Sequence, residues 1–279
     1  MHSIDLHTHT SYSHGADVPD AMFAAAQAKG ITLYGFSEHS PRPLGFDYPN
    51  EYREHLAAHM EIYAQDVHRL QQQFPNQVLF GMEMDWLEGQ LAFTKSTVSA
   101  YNYDYLLGSV HFLGTWGFDA SAADWEKLSQ AQCDALYERY FTAEIDMATS
   151  GLFQIAAHPD LIKIFSVQRF HRWLNDAHHG AAHRDLVRTM LLAFRNNGMA
   201  MEVSSAGIRK PCREIYPCAP IMRMAAEIGL PICLNSDTHC VADVGYAFPQ
   251  LESYARAFGW NASVWFDKQG MHSQPFMPA

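Results

Sequence analysis

The sequence predicts an α/β domain whose parallel strands close into a barrel. Three observations predict it. Short apolar runs alternate with longer amphipathic ones, glycines punctuate the returns between them, and His, Asp and Glu gather at the ends of the apolar runs. The first run, Ile4–His9, leads to a helix at Pro19–Lys29, where Pro19 occupies a first-turn position whose N–H has no helical partner. Gly30 supplies the left-handed residue after that helix, and the second strand is Thr32–Ser37. A long amphipathic helix, Glu51–Gln73, precedes the strand Val78–Met84, and a helix at Gln90–Ala100 precedes Tyr105–His111. The helical pattern Ala122–Thr149 stops at Gly151 and gives way to Phe153–His158. His183–Asn196, Gly198 and Met199–Ser204 repeat the unit, as do Ala219–Ile228, Gly229 and Pro231–Ser236. A helix at Gln250–Ala257 and a last strand at Ser263–Phe266 complete the chain. No linker, low-complexity tract or repeat interrupts it, so residues 1–279 form one domain.

Composition narrows the function. Of 279 residues, 48% are hydrophobic and 18% charged, the profile of a folded enzyme. The formal net charge of -11 argues against nucleic-acid and anionic-membrane partners, and no Lys/Arg run tracks a phosphate backbone. It does not forbid a phosphorylated small molecule, because bound cations reverse the sign locally. Five cysteines with no CxxC pair suit a reducing compartment. Met1–Asp5 lacks the basic start of a signal peptide and no run of 18 apolar residues exists, so a cytoplasmic location is expected.

Sixteen histidines nearly match the 19 lysines and arginines, and many stand at strand ends. In parallel α/β folds that is where chemistry sits. The first strand ends in Asp5-Leu6-His7-Thr8-His9, the second in Glu38-His39-Ser40, the third in Glu83-Met84-Asp85. The fourth ends in His111, the fifth in His158-Pro159-Asp160, the seventh in Asp237-Thr238-His239. A lone histidine there is more often a polar cap than a ligand. Six such ends around one mouth would be costly to bury without cations. His7 and His9, two apart on a strand, share a face, and Asp237 and His239 repeat the spacing. His7, His9, His14, His39, Glu83, His111, His158, Asp237 and His239 make nine candidates, enough for two or three divalent ions where one zinc needs three or four.

HTHTSYSHG, SEH, GMEMD, GSVHFLG, AHPDL, SSAGIRKP and NSDTH together resemble the polymerase and histidinol phosphatase (PHP) superfamily over His7 to about Pro249. YDYLLGSVHFLG, SSAGIRKPCREIYP and SDTHCVADVGYAFP are similar to its histidinol-phosphate phosphatase group. The resemblance implies a distorted seven-stranded (β/α) barrel with a trinuclear metal site at the C-terminal ends of the strands. It implies one metal on His7, His9, Glu83 and Asp237, a second on the bridging Glu83 with His111 and His158, and a third on His14, His39 and His239. The metals are zinc, iron or manganese. The YSHG spacing is shorter than in many of these phosphatases, and Asp17 is the substitute for His14.

The expected reaction is hydrolysis of L-histidinol phosphate by in-line attack of a hydroxide bridging two metals, with Glu83 as the bridge and Asp237 or His239 serving the leaving alkoxide. Arg209 is the first candidate for the phosphate, followed by Lys163 and Arg42. Asp160 or Glu202 is expected to receive the substrate's amine or imidazole. Trp116 and Phe118, after His111, form either a lid or hydrophobic packing. Competing readings are a phosphodiesterase or nuclease, a phosphotyrosine phosphatase and a non-catalytic metal-binding relic. The oligomeric state is left open.

Overall fold

Seven parallel strands build the centre of the molecule, which was obtained as a computed structural model that describes residues 3–46 and 52–276. They are β1 (Ile4–Asp5), β2 (Leu33–Phe36), β3 (Val78–Asp85), β4 (Tyr105–Ser109), β5 (Ile155–Ala156), β6 (Ala200–Ser204) and β7 (Ile232–Asn235). Each pairs in parallel with the next, as sequential strands joined by covering helices must. All eight residues of β3 are buried, which explains its continuous apolar run.

The seam between β7 and β1 is where the barrel departs from regularity. No ladder spans it, and side chains take over. The amide of Leu6 donates to Oδ1 of Asn235 (2.9 Å), and Oγ of Ser236 donates to Oδ2 of Asp5 (2.5 Å). A single parallel bridge, Thr8 with Thr238, adds His9 N–H to Thr238 O at 2.8 Å. The result is a nearly closed barrel whose first and last strand ends meet at their functional residues.

Tyr105 fills the interior. Its hydroxyl donates to Leu6 O at 2.6 Å, and Leu6, Leu79, Leu107, Ile155 and Ala157 surround it. A Cβ at Gly35 would lie 2.2 Å from the tyrosine oxygen, and one at Gly81 would lie 2.5 Å from Cζ. These two glycines are therefore space for one large ring, not turns. A larger core lies outside the strands, between them and the helices.

Several boundaries differ from expectation. The helical pattern from Ala122 splits into Ala122–Glu126 and Gln130–Thr149, because Ser129 caps the second helix in a reciprocal box with Gln132. An unexpected helix, Val167–Leu174, buries Phe170, Trp173 and Leu174, the helical spacing of three and four. The next helix starts at Gly180 rather than His183. The last strand, Ala262–Asp267, lies outside the barrel sheet and pairs antiparallel with an unexpected partner, Gly270–Pro275. The helix expected from Glu51 runs from Tyr52 to Gln73 within the described residues; Glu51 lies outside them, as do Met1 and His2. Phe118 is fully buried against Tyr140, so it packs rather than forming a lid. No helix among the described residues is long and apolar enough to cross a membrane.

Candidate metal centre

Six strand ends bring their polar residues to one mouth, with Glu83 at its middle. One carboxylate oxygen, Oε2, is 3.3 Å from Nε2 of His7, 3.4 Å from Nε2 of His9 and 2.9 Å from Nδ1 of His39. The other, Oε1, is 2.9 Å from Nε2 of His158 and 3.6 Å from Nε2 of His111. Oδ1 of Asp237 stands 3.6 Å from His7 Nε2 and 3.4 Å from His9 Nε2. The rings of His39 and His239 flank that of His9, with centroids at 4.2 and 4.4 Å. His14 stacks on His39 and His239 at 4.8 and 4.3 Å, and its Nδ1 meets the hydroxyl of Tyr52 at 2.8 Å.

Buried polar atoms in folded proteins nearly always find a hydrogen-bond partner. Here Nε2 of His7, both ring nitrogens of His9 and His39, Oε2 of Glu83, Nδ1 of His158 and Nε2 of His239 find none. The side chains that carry them offer ligand atoms in close groups. His7–His9–Asp237, His7–Glu83–His158, His39–Glu83–His111 and His9–His39–His239 each offer three ligand atoms within 4.8 Å of one another. Imidazole and carboxylate donors without thiolate suit divalent ions such as zinc, iron or manganese. The residues fit divalent metals.

Electrostatics divides the imidazoles into two kinds. Burial opposes charge on His7, yet the carboxylates of Glu202, Glu83 and Asp237 outweigh it and hold its pKa well above the usual value. His111 is likewise disfavoured by burial but raised to about 9 by Glu83 and Asp85. Burial drives His39 down to about 3 despite Glu83, with the like charge of His9 adding to the effect. Burial also lowers His239 well below its ordinary value, again reinforced by His9. Glu83 and Asp237 resist the upward push of burial because the surrounding histidines hold both well below the carboxylate range. Binding cations must displace protons from His7 and His111, while His39 and His239 are already neutral donors.

A second layer fixes the first. Nδ1 of His7 donates to Oε1 of Glu202 at 2.7 Å, and Nδ1 of His111 donates to Oδ1 of Asp85 at 2.5 Å. Both bonds leave Nε2 aimed at the centre, the arrangement that orients metal-bound histidines. Glu202 also accepts from the His158 amide (2.7 Å) and from Asn235 Nδ2 (2.9 Å). Two residues of the mouth, His158 (φ 25°) and Asp237 (φ 47°), hold left-handed backbone, a strain that such sites concentrate.

The three expected phosphate-binding cations do not line the cavity at the mouth. Lys163 is fully buried, its Nζ 2.6 Å from Oδ2 of Asp160 and 3.1 Å from Ile215 O. Arg209 binds Asp243 through Nη1 at 2.5 Å and the carbonyls of Ser236 and Asp237 through Nη2, which clamps the Asp237 loop. Arg42 donates through Nε to Oδ2 of Asp85 at 2.5 Å, so it supports His111 through Asp85. Asp160 and Glu202, expected at the substrate's amine, are wholly buried and bonded inward. Asp17 is engaged by the Val241 amide (2.9 Å), whereas His14 faces the cavity.

That cavity has a volume of about 70 Å³. Besides the histidines, Glu83 and Asp237, its walls are Asp119, Leu161, Ile164 and Lys210. Sequence reasoning placed Asp119, Leu161 and Ile164 nowhere in the site and noted Lys210 only as the cation beside Arg209 at the sixth strand end. Asp85 and Glu202 carried a usable signal as outer partners, because each shares the inward face of its strand through the two-residue period.

Barrel and mouth together define a metal-dependent (β/α)-barrel hydrolase. The PHP domain pattern matches residues 5–206. A Deinococcus radiodurans protein named probable histidinol-phosphatase is 32% identical over 262 residues, 91% of this chain and 93% of its own. The histidinol-phosphatase of Bacillus subtilis is 27% identical, over 89% of this chain and 97% of its own. The fold superposes on histidinol phosphate phosphatase from Lactococcus lactis, solved with zinc, L-histidinol and phosphate, with a TM-score of 0.76 and 16% identity over 97% of this chain and 98% of that one. The chain belongs to the PHP domain family.

Proposed function

We propose that the protein is a phosphomonoesterase that hydrolyses L-histidinol phosphate to L-histidinol and phosphate. In this reading the whole chain serves one barrel site. His7, His9, His14, His39, Glu83, His111, His158, Asp237 and His239 hold two or three divalent ions, with Glu83 shared between them. The observation that carries the reading is the gathering of buried imidazoles and carboxylates around Glu83, several of whose atoms lack a hydrogen-bond partner. The names of the Deinococcus and Bacillus relatives supply the substrate.

Divalent ions bound there supply Lewis acidity, lowering the pKa of water and neutralising phosphate charge. The protein's own residues do the rest. Glu202 and Asp85 keep the Nε2 atoms of His7 and His111 turned inward. Lys210 faces the cavity, and none of the ion pairs among the described residues engages it, so it receives a phosphate oxygen. Asp237 and His239, 3.7 Å apart on one loop, attend the departing alkoxide. The small cavity takes a phosphoryl group and leaves its alcohol at the rim, which favours a monoester over a polymer.

The test is phosphate release from L-histidinol phosphate by metal-supplemented enzyme, beside p-nitrophenyl phosphate and a phosphodiester. A kcat/KM of about 10⁴ M⁻¹s⁻¹ or more for histidinol phosphate, well above the generic ester, is expected. Equal slow hydrolysis of both monoesters defeats the substrate assignment. Activity confined to the diester transfers the protein to the nuclease branch.

A further inference from the structure

Two of the buried histidines are turned inward by carboxylates behind them, His7 by Glu202 and His111 by Asp85. No carboxylate bonds to His14 among the described residues. His14 is exposed, on the turn Ser11–His14, where a side chain keeps its rotamer freedom unless something holds it. A phenol holds it. Nδ1 of His14 meets the Tyr52 hydroxyl at 2.8 Å, with the two rings crossing at 74°. Tyr52 is itself fixed. It is buried on the helix Tyr52–Gln73, in line with the buried Leu56, Met60 and Tyr63. The guanidinium of buried Arg42 lies 5.2 Å from the centre of its ring and 4.9 Å from that of Phe112. The same guanidinium donates to Asp85, the residue behind His111. One outer layer thus runs from His14 through Tyr52, Arg42 and Asp85 to His111.

A neutral imidazole carries one hydrogen, and only the nitrogen without it can ligate a cation. An oxygen that accepts from Nδ1 therefore frees Nε2 and fixes the plane of the ring as well. We propose that Tyr52 is a positioning residue: its hydroxyl oxygen accepts the Nδ1–H of His14 and keeps Nε2 turned into the cavity, so that one ion of the centre depends on Tyr52. His14 lines that cavity with the rings of His39 and His239 at 4.8 and 4.3 Å. The inference rests on the place of His14 in the proposed ligand set and adds a residue that acts only through it.

The experiment loads wild type, Tyr52→Phe, His14→Ala and the double variant with zinc, dialyses each against a graded series of chelator, and measures zinc per chain. Tyr52→Phe keeps the ring, its packing and its place beside Arg42, and removes only the oxygen. It should weaken one ion about 10- to 100-fold and leave the remaining zinc unchanged. In the double variant Tyr52→Phe should add nothing to His14→Ala, because the two residues act as one unit. Unchanged zinc affinity in Tyr52→Phe overturns the inference. So does a parallel weakening of every ion, or a further loss in the double variant, since either makes Tyr52 a support of the fold. Full zinc retention by His14→Ala overturns it too, and removes His14 from the ligand set. Hydrolysis of L-histidinol phosphate is measured separately, so a failure of the substrate reading leaves the zinc result to decide the role of Tyr52.

Discussion

The middle of the barrel and its mouth bury polar groups at similar depth and treat them in opposite ways. In the middle, Tyr105 places its hydroxyl on Leu6 O, Asp5 accepts from Ser236, and Glu202 accepts from His7, His158 and Asn235. A few ångströms further along the same strands, His9 and His39 have no hydrogen-bond partner on either nitrogen. Folding alone explains the first arrangement. The second is unfavourable unless something other than protein completes it. The contrast locates function more sharply than the histidine count does, because it separates polar residues that finish the barrel from those that wait for a ligand.

Removing the centre of the mouth should give the largest effect. Glu83→Gln keeps the size of the side chain and removes the charge shared by five histidines. The expected result is loss of bound metal and a fall in kcat/KM of about 10³-fold or more, about 4 kcal/mol, with the circular dichroism of the fold preserved. Metal analysis showing full occupancy with normal turnover would sink the shared-ligand assignment. The middle of the barrel should respond in stability instead. Gly81→Ala forces a methyl group against the Tyr105 ring and should cost about 2–3 kcal/mol in urea unfolding. Tyr105→Phe sharpens the point. It should partly relieve Gly35→Ala, whose closest clash is with the hydroxyl, and leave Gly81→Ala unrelieved, since that clash is with the ring. Equal relief of both would show that the ring does not sit where the structure has it.

The same contrast explains what was legible beforehand. His7, His9, Glu83, His111, His158, Asp237 and His239 were readable because a parallel barrel aligns the ends of its strands, so position along each strand was enough. The glycines that bound helices were readable from local chemistry, whereas Gly35 and Gly81 were not, because the ring they admit is far away in sequence. The directions of the charged residues after the strands were not legible, for a related reason. Lys163 lies five residues beyond His158, but the short helical turn Leu161–Lys163 folds its side chain back onto Asp160. Arg209 turns onto Asp243 while its neighbour Lys210 faces the cavity. Sequence distance from a strand end gives proximity but not direction. Asp119 reaches the mouth through a hairpin whose two strands have two residues each, too short to leave a periodic signal.

The boundary between the two regions can be probed at Glu202, which belongs to both. Glu202→Gln keeps the shape but forces an amide N–H to face one of the donors now satisfied, His7 Nδ1, the His158 amide or Asn235 Nδ2. Outer-layer changes of this kind weaken metal binding by about 10–100-fold, which competition with a chelator would measure. If affinity stays within about threefold of wild type, the His7 ring is held by something else.

The smallest effect concerns two buried glutamates. Glu83, ringed by imidazoles, is held ionised against burial. Glu144, fully buried on the helix Gln130–Thr149, is pushed up to about 8 by burial, more than the Tyr140 hydroxyl and His111 pull it back. In the folded protein Glu144 keeps its proton up to about pH 8, while the unfolded chain releases it near the ordinary glutamate value of 4.5. Between those values the unfolded state binds fewer protons, so the contribution of Glu144 to stability is greatest below that window and is lost as pH rises through it. Between pH 6 and pH 7 the loss amounts to about 1 kcal/mol. Glu144→Gln should remove that slope, leaving a variant that gains on wild type as pH rises, when both are unfolded in urea with chelator present so that metal ligation is absent from both. Parallel stability curves would mean that Glu144 ionises in the fold much as it does in water, and that burial near this mouth is less severe than the contrast with Glu83 requires.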